Sequence, residues 1–277
     1  MAALLMVILA YLLGSIPTAI IAGRLRQGID IRAEGSGNAG ATNAARILGF
    51  KAGIAVAVVD LAKGFLAVLL VSRIAPLAGG GGPALCGIAA VTGHIFPVFA
   101  GFRGGKGVAT AAGAAIALFP ILAPFCLAIF LLVAALGRWI VLASLTAAFV
   151  LPGMYLTSSL FGTHFDPWKA GFGIAVFLII IFTHRNNIAR LIRGKEERLD
   201  INRMFHAAKK TSVVIIGAGA TGRGHVAQLA FESGYRLVFL DKNEGLCATL
   251  REVGRLACRG SPVRAVLVDG CRAHRSS

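Results

Sequence analysis

The run Ala2-Ala3-Leu4-Leu5-Met6-Val7-Ile8-Leu9-Ala10-Tyr11-Leu12-Leu13-Gly14-Ser15-Ile16-Pro17-Thr18-Ala19-Ile20-Ile21-Ala22-Gly23 contains no charged side chain. No charge precedes it, it carries no small-residue cleavage site, and it outruns a signal-peptide core, so it reads as a retained membrane span. Six further apolar blocks follow: about Ala52–Ile74, Ala84–Gly101, Val108–Phe119, Ile121–Gly137, Trp139–Phe161 and Pro167–Thr183. The fourth block is shorter than the roughly 20 residues needed to cross a bilayer straight. The expected fold is an α-helical polytopic membrane protein of seven spans. The alternative is five spans with the fourth block re-entrant. Composition agrees: of 277 residues, 57% are hydrophobic and 14% charged, against about 25% charged in soluble domains. Mean hydropathy is +0.78, more apolar surface than a soluble globule of this length can hide. Disorder, collagen and a disulfide scaffold are excluded by the same figures.

The net charge is +16, from 28 Lys+Arg and 12 Asp+Glu. The first gap between blocks holds Arg24, Arg26, Arg32, Arg46 and Lys51, the third Arg103 and Lys106, and the fifth Arg138. Arg185, Arg190, Arg193, Lys195 and Arg198 follow the seventh block, whereas the even gaps carry little charge. The positive-inside rule then puts the N-terminus outside and the tail in the cytoplasm. Basic residues confined between apolar runs do not make a nucleic-acid face. They suit an anionic partner at a membrane surface. Five scattered Cys, none in a C-x-x-C pair, imply neither a metal site nor a disulfide framework.

Three segments carry chemistry. The first gap reads Glu34-Gly35-Ser36-Gly37-Asn38-Ala39-Gly40-Ala41-Thr42-Asn43-Ala44-Ala45-Arg46. Glycines let backbone N–H groups converge on an anion, the Ser, Thr and Asn side chains add donors, and Arg supplies a fork for phosphate oxygens. A plain polar loop is the alternative, but such loops are rarely this rich in donors. The third gap, Gly93-His94 through Arg103-Gly104-Gly105-Lys106-Gly107, again sets cations beside bare backbone. It lacks P-loop spacing and a preceding strand. His94 is open between a buried, satisfied histidine and a functional one. The seventh block ends in Thr183-His184-Arg185-Asn186-Asn187, and from Ile188 the spacing predicts an interfacial helix with basic flanks. Asp60 and Lys63, inside the second block at i and i+3, read as a structural pair, since intramembrane charges are costly unless paired.

Gly14-Ser15-Ile16-Pro17, Gly35-Ser36-Gly37-Asn38 with Gly40-Ala41-Thr42-Asn43, Gly93-His94 through Gly107, and His184-Arg185-x-Asn187 stand in one order and spacing. In these four motifs residues 1–200 resemble the PlsY family, bacterial membrane glycerol-3-phosphate acyltransferases. The resemblance implies transfer of a fatty acyl group from acyl phosphate to the 1-hydroxyl of glycerol 3-phosphate, giving lysophosphatidic acid and phosphate. It also implies seven spans, a site at the cytoplasmic face of the inner membrane, and independence from acyl-CoA. Ser36, Asn38, Arg46, Lys106, His184 and Asn187 would carry the reaction. Gly37, Thr42, Asn43, His94, Arg103, Gly104 and Gly105 would bind substrate. Neither a metal nor a cofactor is expected for the transfer, and the working form is expected to be a monomer. Where the family often has a Ser, this chain has Val141, with Ser144 three residues on.

From Thr211 the chain changes character. Thr211–Ile216 reads as a buried parallel strand, followed by Gly217-x-Gly219-x-x-Gly222, a helix from about Gly224 to Ser233, and a strand from Arg236 to Leu240 ending at Asp241. An acid 19 residues after Gly222 completes a dinucleotide fingerprint favouring NAD. Residues 211–277 thus resemble the start of mannitol-1-phosphate dehydrogenase-like enzymes, a short Rossmann-like α/β fragment after a membrane domain of residues 1–205. The Arg-rich, Lys-free run from Arg251 reads as an out-of-frame ending on a truncated neighbour. The rival reading is a small NAD-sensing module. Two other function classes stay open: a transporter for an anionic solute and a membrane-tethered NAD-dependent dehydrogenase. A transporter site would sit near the bilayer midplane rather than in the loops.

Overall fold

The computed structural model describes residues 2–74, 80–162 and 164–199, with the backbone of short strands at 212–216, 236–240, 256–258 and 261–263. The chain divides into two compact units, Met1–Ala208 and Lys209–Ser277.

The described part of the first unit is helical. Its helices are α1 (Ala2–Gly14), α2 (Thr18–Gln27), α3 (Ala41–Leu48), α4 (Phe50–Leu69), α5 (Gly82–Ile95), α6 (Val108–Leu118), α7 (Leu122–Gly137), α8 (Ile140–Leu160) and α9 (Pro167–Ile192). Among the described residues, five stretches are long and apolar enough to cross a membrane: Ala3–Gln27, Phe50–Arg73, Gly82–Ala100, Ile140–Leu160 and Pro167–Ile192. Helices α6 and α7 are apolar but run only 11 and 16 residues. At 1.5 Å per residue, α6 rises about 16 Å, half of a ~30 Å hydrocarbon core. The seven expected blocks therefore appear as five full-length stretches and two short helices flanking Pro120.

Two local expectations change. The first block is not one helix: it breaks at Ser15–Pro17 and resumes through Gln27. Pro17 has no N–H to give, while Ser15 Oγ donates to the Tyr11 carbonyl at 2.8 Å. The helix expected from Ile188 is present, but as the last turn of α9 and not as an element of its own. Helix α9 runs unbroken to Ile192: from Thr183 onward no Gly or Pro occurs before Gly194, which takes φ 66°.

Small residues let the helices approach closely. A Cβ on Gly113 of α6 would overlap the Leu61 carbonyl of α4, and one on Gly64 of α4 would overlap the Thr110 carbonyl of α6. Association in lipid depends on such van der Waals packing, because lipid tails remove the hydrophobic drive between helices. Phe119, Tyr155 and Phe172 fill the interior between α6, α8 and α9, with Phe119 edge-on to Tyr155 at 5.2 Å between ring centroids. Ile54, Val58 and Val59 of α4 and Leu131, Leu132 and Leu136 of α7 point outward. Water would penalise that surface and a bilayer does not.

In the second unit, β1 (Ser212–Ile216) pairs in parallel with β2 (Arg236–Leu240), Val214 opposite Val238. Strand β3 (Leu256–Cys258) pairs antiparallel with β4 (Ser261–Val263), a hairpin the sequence pattern did not announce. The expected helix at 224–233 and the residues Gly217, Gly219, Gly222 and Asp241 lie outside the described residues.

Candidate active site

The loops after α2 and α5 and the segment after α9 gather at one end of the bundle, fastened by side chains that reach across it. Asp30 accepts from the Arg32 backbone N–H at 3.0 Å and from its guanidinium at 2.7 Å. The bonds from Arg32 hold the Asp30 carboxyl low, at about 2. Arg32 Nη1 then donates to the carbonyls of Ala100 (2.8 Å) and Arg103 (3.1 Å), clamping the loop after α2 to the loop after α5. In the sequence Arg32 is one of the basic residues of the first gap; its Asp30-x-Arg32 spacing is the local signal of this clamp.

Within the first loop Asn43, at the start of α3, is almost fully buried. Its Oδ1 accepts from the Ser36 N–H at 3.0 Å, and its Nδ2 donates to the Ile31 and Glu34 carbonyls at 3.0 Å each. All of this side chain's polarity braces the loop. It presents Ser36 and Gly37, both exposed, and Asn38, half-buried, at the surface. Thr42 and Arg46 follow on the first turns of α3.

The third loop is folded back onto α5. Gly104 N–H donates to the Ile95 carbonyl at 3.0 Å and Gly105 N–H to the His94 carbonyl at 3.1 Å. Lys106 follows and donates from Nζ to Asn187 Oδ1 of α9 at 2.6 Å, while its own carbonyl accepts from Thr183 Oγ1 at 3.2 Å. Burial lowers the Lys106 ammonium to about 8. Nearby Arg190 and Arg46 push the same way, and Glu196 opposes them. His184 is buried one turn before Asn187. Its Nδ1 lies 2.9 Å from the Ile180 carbonyl. A carbonyl only accepts, so Nδ1 carries the hydrogen and Nε2 is the basic nitrogen. Arg103 turns an exposed side chain outward and contributes its carbonyl to the Arg32 clamp.

Two acids after α9, Glu196 and Glu197, join this cluster, and no motif in the sequence pointed to them. The segment after α9 doubles back, Lys195 N–H donating to the Arg190 carbonyl at 2.8 Å. Glu196 takes a 2.6 Å bond from Asn187 Nδ2 and a 2.8 Å bond from Arg190 Nε. Glu197 pairs with Arg46 at 3.2 Å. Arg138, at the α7–α8 junction, donates from Nε to the Leu199 carbonyl at 3.0 Å. Lys106, Asn187, Glu196 and Arg190 form one continuous polar chain, and Glu197 on Arg46 sets the first loop beside it. Val141 is buried, and the Ser144 hydroxyl is spent on the Ile140 carbonyl of its own helix. Among the described residues no His, Cys, Asp or Glu group of three is arranged to hold a metal. A cavity of about 530 Å³ opens at the opposite end of the bundle, beside Ser72, Leu118 and Trp168, away from these groups.

Comparison with known proteins agrees with this geometry. The sequence profile of the glycerol-3-phosphate acyltransferase family matches residues 4–194. A glycerol-3-phosphate acyltransferase of Chlorobaculum tepidum is 44% identical over 228 residues, covering 72% of this chain and 97% of that protein. The one from Salinibacter ruber is 43% identical over 206 residues, covering 69% and 90%. The crystal structure of PlsY (YgiH), an integral membrane glycerol 3-phosphate acyltransferase, superimposes in its glycerol 3-phosphate form with a TM-score of 0.63 at 38% identity. That match covers 72% of this chain and 96% of that one. The lysophosphatidic acid form gives 0.64. With the described helices, their loops and the matched residues 4–194 falling within the first unit, the chain belongs to the glycerol-3-phosphate acyltransferase family of multi-pass membrane proteins.

Proposed function

We propose that acyl phosphate is the donor in this acyltransferase, and that the 1-hydroxyl of glycerol 3-phosphate attacks its acyl carbon. Lysophosphatidic acid and inorganic phosphate are the products, feeding phospholipid biosynthesis. The observation that carries this reading is the 2.6 Å Lys106–Asn187 bond, which joins the Gly104-Gly105-Lys106 turn to the end of α9 beside Arg46. Two phosphate-bearing substrates must meet there, and three cations and several neutral donors converge. An acyl phosphate is an activated mixed anhydride, so the protein's task is to position and to neutralise charge. In this scheme Lys106 and Arg46 take phosphate oxygens, Ser36, Asn38 and Thr42 add donors from the first loop, and Asn187 orients the lysine. The proton of the attacking hydroxyl goes to the departing phosphate or to His184 Nε2. The transfer uses no cofactor.

The remaining assignments extend the same reading. All seven apolar blocks are embedded, α6 and α7 being accommodated by their neighbours. The N-terminus is outside, and the site faces the cytoplasm of a bacterial inner membrane in a monomeric enzyme. The parallel β1–β2 pair supports a dinucleotide-type fragment in residues 211–277, which takes no part in acyl transfer. Purified protein in detergent, given labelled glycerol 3-phosphate with palmitoyl phosphate or palmitoyl-CoA, tests the donor. Turnover is expected with the first and not the second, and equal rates with both overturn the assignment.

A further inference from the structure

Behind the Gly104-Gly105-Lys106 turn lies a buried polar cluster that the transfer scheme does not use. Asp60 is 1% exposed, Lys63 4% and His94 7%. Lys63 Nζ lies 2.9 Å from Asp60 Oδ1 and donates to the Ile16 carbonyl at 3.0 Å, tying α4 to the α1–α2 break. His94 Nδ1 lies 3.6 Å from the same Asp60 oxygen and makes no hydrogen bond in the structure. Such an orphaned buried nitrogen calls for an explanation. The other side of the ring supplies one. A Cβ on Gly105 would overlap His94 Nε2, and it would stand 2.9 Å from the Ala39 carbonyl. Gly105 is therefore held between the His94 imidazole and the first loop, one residue before Lys106.

We propose that His94, seated by the buried Asp60–Lys63 pair, is a positioning residue that sets the Gly105–Lys106 turn against the Ala39 loop, so that both loops close on one phosphate. Asp60 anchors the ring from inside the bundle and the ring wedges Gly105 from behind. The orphaned Nδ1 and the carboxylate face each other at a distance that closes when phosphate draws Lys106 inward; apo sites commonly hold such contacts long. This inference rests on glycerol 3-phosphate binding at these loops. It assigns Asp60 and His94 a part in affinity for that substrate, without contact to the reacting atoms.

The test is steady-state kinetics on full-length wild type, Asp60→Asn, His94→Asn and the Asp60→Asn/His94→Asn double variant, each also assayed for folded protein by thermal stability in detergent. Asp60→Asn and His94→Asn should each raise KM for glycerol 3-phosphate about tenfold, with kcat for the folded fraction held within about twofold. The double variant should be no worse than His94→Asn alone, since Asp60 acts through the ring. KM rises that multiply, or an unchanged KM with only less folded protein, overturn the inference. Should Asp60→Asn strand Lys63 and fail to fold, Asp60→Asn/Lys63→Met removes both charges and must show the same KM rise; a wild-type KM there refutes the role of Asp60. Absence of any wild-type turnover would instead sink the substrate assignment.

Discussion

Lys106 gives the reaction a pH dependence whose sign follows from its surroundings. Burial brings its ammonium from 10.5 to about 8. At roughly 1.4 kcal/mol for each tenfold change in proton affinity, the site favours the neutral amine by about 3 kcal/mol more than water does. The free enzyme therefore carries a charged Lys106 at pH 7 in about ten molecules for each neutral one, and the ratio reverses near pH 9. If the charged lysine binds phosphate, kcat/KM should fall about tenfold between pH 7 and pH 9, with a midpoint near 8. Bound phosphate holds the proton on, so kcat at saturation should decline at higher pH than kcat/KM. On the acid side the phosphate monoester's second ionisation, about 6, sets the other limb. Lys106→Arg supplies the test, since a guanidinium stays charged throughout. It should lower the rate at pH 7 through altered geometry yet abolish the alkaline limb below pH 10. The assay is release of labelled lysophosphatidic acid from palmitoyl phosphate, with enzyme-free controls at each pH for donor hydrolysis. A wild-type profile flat to pH 10, or an alkaline limb unmoved in Lys106→Arg, refutes the reasoning.

Three further outcomes are expected. Arg46→Ala should lower kcat/KM at least about tenfold, because charge-assisted bonds are worth roughly 1.5–3 kcal/mol, and near-normal kinetics would remove it from the site. Asn43→Leu strips the bonds to the Ser36 N–H and to two carbonyls; it should loosen the first loop, raising KM about tenfold or more and speeding proteolysis at residues 34–40. A stop after Lys209 should leave acyl transfer within about twofold, since the family profile ends at residue 194, and the full chain should bind NAD weakly or not at all. Micromolar NAD affinity in a titration would show that residues 211–277 are a working module.

The candidate residues are legible in the sequence because their chemistry is local. Ser36, Asn38 and Lys106 stand among glycines, and His184 stands three residues before Asn187. The structure brings the loops that carry them to one end of the bundle. Long-range partnerships were not legible. Nothing in Asn43 distinguishes a loop brace from a substrate donor until its three bonds are seen. Glu196 and Glu197 belong to no sequence motif, yet their carboxylates meet Asn187, Arg190 and Arg46. Arg32 read as one more positive-inside residue until its guanidinium was found on the Ala100 and Arg103 carbonyls.

Hydrophobic block length, the charge of the gaps and the four motifs determined the helical membrane class and the family, because bilayer thickness and the cost of burying charge act on the chain one segment at a time. The tertiary structure decided what depends on packing across segments. Close contact at Gly64 and Gly113 sets how α4 meets the short α6. The break at Ser15–Pro17 places the Ile16 carbonyl where Lys63 can reach it. Asp60, which in sequence is only an acid three residues from a lysine, comes to stand behind His94 and the turn that carries Lys106. Spacing within one helix specifies the Asp60–Lys63 pair, but only the approach of α4 and α5 puts that carboxylate beside the His94 ring, and no period in the sequence encodes a distance between two helices.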